Sequence, residues 1–116
     1  MNIKTELGKL LFYFERGRTS YTKYLEQGST YLHARILKHN NDSMIEVLSK
    51  IYSFCPDEIQ QDILELTYHI DVWSSHWCCL EKKLHPAFND KFIFQNTVGY
   101  PKDAETNIVD YYKGLV

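Results

Sequence analysis

Residues 57–84 read DEIQQDILELTYHIDVWSSHWCCLEKKL, and this stretch decides the fold. Ile59, Ile63, Leu66, Ile70, Trp73, Trp77, Leu80 and Leu84 recur in it at alternating steps of four and three. That spacing puts them all on one face of an α-helix. Pro56 stands just before the stretch and Pro86 just after it, so both ends are punctuated. Asp57, Glu58 and Asp62 occupy the first turns, and Lys82 and Lys83 the last. This polarity suits the helix dipole, by about 0.3–1 kcal/mol per favourable charge. At about 1.5 Å per residue the helix would be roughly 40 Å long. The flanking positions are Gln60, Thr67, Ser74 and Glu81 on one side and Asp62, His69, His76 and Lys83 on the other. They lack the regular Glu/Lys alternation of a zipper, so the stripe reads as the spine of a globular bundle.

Upstream, Ile3, Leu7, Leu10, Leu11 and Phe14 predict a first helix over about 3–15, with Gly17 at its end, at a kink or passed through by the helix. A second helix is expected over about 20–38, where Tyr21, Leu25, Gly28, Leu32 and Ile36 share a face. His39-Asn40-Asn41-Asp42 reads as a polar turn. Ser43-Met44-Ile45-Glu46 has the form of a capping box opening a third helix that runs to about Phe54. Downstream of Pro86, Phe88, Phe92 and Phe94 mark an extended aromatic segment laid over the bundle. Val98-Gly99-Tyr100-Pro101 is a turn, and 102–113 a short last helix with Ile108, Val109 and Tyr112 inward. The expected fold is all-α: an antiparallel bundle of three to four main helices over about 3–85, then an extended aromatic C-terminal arm and short helix over about 86–114. Residues 1–116 are expected to form a single domain.

Composition narrows the class. Apolar residues make up 44 % of the chain and aromatic residues 15 %, too rich for a disordered segment. The net charge of −2 gives no overall pull toward nucleic acid or membrane. The charge is uneven, however: residues 1–55 carry eight Lys/Arg against five Asp/Glu, and residues 56–116 five against ten. Nothing after Met1 resembles a secretory leader, and no stretch is long and apolar enough to span a bilayer. The three cysteines, Cys55, Cys78 and Cys79, form no C-x-x-C pair. A cytoplasmic location with free thiols is the expectation.

Two sets of residues are candidates for function. Asp57, Glu58, Asp62 and Glu65 form an acidic cluster with no Lys or Arg nearby in sequence until Lys82, suited to meeting a basic partner. His69 and His76 are seven residues apart and flank the apolar stripe, with Asp71 between them. About 10 Å along the helix axis separates them, too far for one metal ion with bonds near 2 Å. Using them for chemistry would require groups from other helices. Trp73 and Trp77 read as core anchors. Arg16, Arg18, Lys23, Arg35 and Lys38 interleave with tyrosines in a way that can hold single strands. The tyrosines coincide with the apolar face, however, and no nucleic-acid motif is present.

No phosphate loop, dinucleotide fingerprint, nucleophile elbow or HExxH occurs in the sequence, and no cofactor or metal is expected. The favoured reading is a small helical protein-interaction module: an adaptor, a regulator or a toxin-neutralising immunity-type protein. One rival is an enzyme or ligand-binding bundle using His69, Asp71 and His76. The other is a homodimer that buries part of the stripe against its mate.

Overall fold

Among the described residues, four helices build the fold: α1 (Ile3–Glu26), α2 (Tyr31–Ile51), α3 (Asp57–Leu84) and α4 (Lys102–Gly114). One 3-10 turn, Tyr52–Phe54, leads from α2 to α3. The structure, a computed structural model, describes residues 1–115. Among these residues there is no strand; one isolated antiparallel bridge joins Thr30 to Lys91. The all-α bundle is the architecture expected from the stripe, and α3 starts and stops where the prolines mark it. No helix among the described residues is long and apolar enough to cross a membrane.

The first half departs from the expected division. α1 runs through Gly17 to Glu26, and α2 runs through residues 39–42 to Ile51. Helix breaks expected near Gly17 and at 39–42 are therefore absent, and one break falls at 27–30 instead. Gly28 has φ +89 and Ser29 φ +55, the left-handed backbone that turns the chain. Gly17 lies within α1 where α2 approaches closely: a Cβ there would lie 2.9 Å from Asn40 Nδ2. Asn40 is fully buried between the helices. Its amide donates to Tyr13 O at 3.0 Å, and its Oδ1 accepts from Arg16 Nε at 2.6 Å. Asn40 thus serves a buried contact rather than a turn, while His39 and Asp42 stay exposed. Ser43 lies mid-helix and donates to His39 O at 3.0 Å, so it caps nothing. The helix-start cap lies at Asn2, whose Oδ1 accepts from Thr5 N at 3.1 Å.

Contacts along the helices show antiparallel neighbours. Arg16 meets Asn40 and Ser43 across α1 and α2. Trp77 Nε1 donates to Ala34 O at 3.2 Å across α2 and α3. α4 runs back along both α3 and α1, with Asn107 donating to Asp62 and Arg18 paired with Glu105. Two clusters form the core. The larger joins Leu7, Leu10 and Phe14 of α1, Met44 and Leu48 of α2, the stripe from Ile59 to Ile70, and Ala104 and Ile108 of α4. The smaller is built on Ala34, Trp77 and Phe92, with Tyr24, Tyr31, Trp73, Leu80 and Phe94 packed around them. The stripe therefore changes partner halfway along α3. It ends in solvent, with Leu84 47 % exposed.

The partner in the second half is the arm, residues 85–101, which packs against Tyr24 of α1, Tyr31 and Ala34 of α2, and Trp73 and Trp77 of α3. Phe92 is fully buried, so the arm completes the core rather than merely covering it. It also closes the start of α2, which has no side-chain cap. Tyr31 N donates to Asp90 O at 2.9 Å and Leu32 N to Phe88 O at 3.0 Å. Phe92 N donates to Ser29 O at 2.9 Å, and Tyr24 OH to Phe92 O at 2.5 Å. Backbone groups that a helix start leaves unpaired are satisfied here by carbonyls from a distant segment.

Candidate functional site

The acidic residues sit where α3 begins. Asp57, Glu58 and Glu65 are exposed and Asp62 is half-buried. α4 lies alongside, and Asn107 Nδ2 donates to Asp62 Oδ1 at 3.3 Å. Between the two helices runs a shallow groove in two stretches. The first is lined by Glu58, Asp62 and Asp110 over Ile59 and Tyr111. The second is lined by Asp62, Glu65 and Asp103, with Tyr100 and Lys102. Asp62 belongs to both. Among the described residues the ion pairs engage Glu6, Glu15, Glu26, Asp42 and Glu105. Among the described residues no acid of the groove has such a partner. Five carboxylates against one lysine in a concave, partly apolar surface concentrate negative potential.

Asp103 and Asp110 were not singled out from the sequence. They are seven apart and so share a face of α4, a signal that was readable. Their position opposite Glu58 and Glu65 depends on how α4 docks, which local pattern does not reveal.

The histidines have a different role in the structure. His69 is half-buried, and its Nδ1 lies 3.1 Å from Val98 O, with the ring edge-on to Tyr100. His76 Nε2 lies 3.3 Å from Thr97 Oγ1, and its ring leans on Phe94. Both side chains therefore hold the second half of the arm against α3. Asp71 is exposed, and neither histidine bonds to it. Among the described residues no group of three or more His, Cys, Asp or Glu is placed to hold a metal ion. Cys78 and Cys79 are exposed free thiols, whereas Cys55 is buried, which pushes its thiol pKa up.

Burial lowers the His69 pKa from its ordinary 6.5, and the carbonyls of Val98 and Gly99 offset part of that. A base with a depressed pKa in the folded state favours folding while it is neutral. Its contribution is present above pH 6.5 and is lost as the pH falls through the lower folded value. The midpoint of thermal unfolding is expected to fall from pH 7 toward acid, and His69→Gln should flatten that slope. Glu6 acts in a separate, more acid window. Its carboxylate is held below the ordinary 4.5 chiefly by its hydrogen bond to Lys9, with Lys50 adding to it against the opposing cost of burial. Its contribution is lost only below that range. An unchanged slope for His69→Gln between pH 7 and 5 would show that the imidazole stays hydrated.

No protein-family model, no curated protein and no solved structure matches the chain.

Proposed function

We propose that the protein is a small protein-interaction module whose α3–α4 groove receives a basic segment of a partner protein. One observation carries this reading: Glu58, Asp62, Glu65, Asp103 and Asp110 converge on one groove with an apolar floor and no ion pair among the described residues. Carboxylates left free in a concave surface favour a cationic ligand and speed its encounter. The half-buried Tyr111 adds apolar surface for the stems of Lys or Arg side chains. A reducing, cytoplasmic setting suits the free thiols. The rival use of His69, Asp71 and His76 in catalysis has less support, because both rings are engaged by the arm and Asp71 joins neither.

Affinity capture with the full chain tests this. The wild type is expected to retain a protein partner near one-to-one from native lysate. Glu58→Lys combined with Asp62→Lys is expected to lower its recovery at least about tenfold, because like charges then face the partner. Asp71→Lys, an exposed site outside the groove, should leave recovery unchanged. Raising salt should weaken the complex. Equal capture by the reversed variant, with helical content intact by circular dichroism, would sink the proposal.

A further inference from the structure

We infer that the groove filled by residues 88–94 also accepts the same segment from a second copy, so that residues 86–115 exchange between two chains about a hinge at His85. The exchanged segment carries Asp103 and Asp110, so the α4 wall of the acidic groove would come from the other chain; the inference does not rest on what that groove binds. The segment already in place defines what fits. Phe92 is fully buried, its ring 5.2 Å from that of Tyr31 and 5.4 Å from that of Trp77. Asp90 O and Phe88 O accept from the first amides of α2, and Phe92 N donates to Ser29 O. Lys91 Nζ donates to Gly28 O at 2.5 Å. A second copy carries an identical segment, so each of these contacts is reproduced across the pair without any new complementarity. α4 travels with the arm, and Ala104 and Ile108 then enter the larger core of the other chain.

The hinge supplies the reason to exchange. His85 has φ +45 and ψ +57, the left-handed region, and is not glycine. Glycine enters this region freely, and Asn, Asp and His are the other residues that adopt it most often. Pro86 follows, and proline steers its predecessor toward extended backbone. Folding back onto its own chain thus holds His85 in a conformation that the following proline disfavours. An extended His85 releases that strain and carries the arm away from its own α3. The arm has no helix or strand of its own to oppose this, and Phe88 and Ile93 are 51 % and 63 % exposed. Short connections under strain favour such exchange.

The test uses the full chain, refolded from urea at high concentration and followed by sedimentation from about 1 μM to about 1 mM. A dimer is expected. In an equal mixture of ¹³C-labelled and unlabelled chains, isotope-filtered NOEs between the Phe92 ring and the Trp77 indole should connect different molecules. His85→Gly, which suits the left-handed hinge, is expected to lower the association constant about tenfold and leave the monomer folded. A strict monomer over the whole range, or a dimer lacking the Phe92–Trp77 contact between chains, overturns the exchange. An association constant unchanged in His85→Gly overturns the hinge as its cause.

Discussion

Phe92→Ala is expected to lower folding stability by about 3–5 kcal/mol, read from the midpoint of urea unfolding. The side chain is fully buried in the smaller core cluster, against Ala34 and Trp77. Truncation leaves a cavity lined by rings, which are stiff and collapse poorly around it. The neighbouring backbone magnifies the effect, because Phe92 O accepts from Tyr24 and Phe92 N reaches Ser29 O. A loss of this size is a large share of the roughly 5–15 kcal/mol of a typical domain. Phe92→Leu, which keeps part of the apolar volume, should cost about 1–2 kcal/mol. Ile93→Ala, one residue on but 63 % exposed, should cost less than about 0.5 kcal/mol. Equal losses at positions 92 and 93 would mean that the arm contributes no core.

The second large effect is expected where α1 meets α2. In an ordinary helix interior Gly→Ala stabilises by about 1 kcal/mol. At Gly17 the sign should reverse, with a loss of about 1–3 kcal/mol, the usual range for overpacking. The added methyl would lie 2.9 Å from Asn40 Nδ2, and Asn40 is locked by Tyr13 O and Arg16. Asn40→Ala alone should cost about 2–4 kcal/mol, from a cavity and the loss of buried hydrogen bonds. The pair should be strongly non-additive. With alanine at 40 the obstacle is gone, so Gly17→Ala in that background should be neutral or stabilising by up to about 1 kcal/mol. Additive losses in the double-mutant cycle would show that the two residues do not meet.

These two sites also show which parts of the fold were legible. α3 was readable to its ends, because its stripe, its charged termini and its flanking prolines all act within one helix. The first half misleads for a tertiary reason. Gly17 and Asn40 look like breakers when read singly, and each makes sense only in the presence of the other. Gly28, which fits a helical face on paper, is the residue that turns. The aromatic spacing of the arm was visible, but the burial of Phe92 depends on contacts with Tyr24 and Tyr31 far upstream. Among the candidate site residues, Glu58, Asp62 and Glu65 line one groove as a same-helix cluster could. Asp57 lies outside that lining, at the exposed first turn. The position of His69 and His76 at the edge of the stripe was evident in sequence. Their bonds to Val98 and Thr97 were not, because those partners come from across the arm.

The carbonyls that close the start of α2 come from Phe88 and Asp90, about half a chain later. This imposes an order on assembly during synthesis. The α1–α2 hairpin brings its helices together across the short connection at 27–30, a low-contact-order step that is fast. Its tip has no cap until the arm has emerged and settled. Until then the amides of Tyr31 and Leu32 face water, and the rings around Trp77 lack Phe92. Slow hydrogen exchange at those two amides therefore marks the moment when the arm has taken its place.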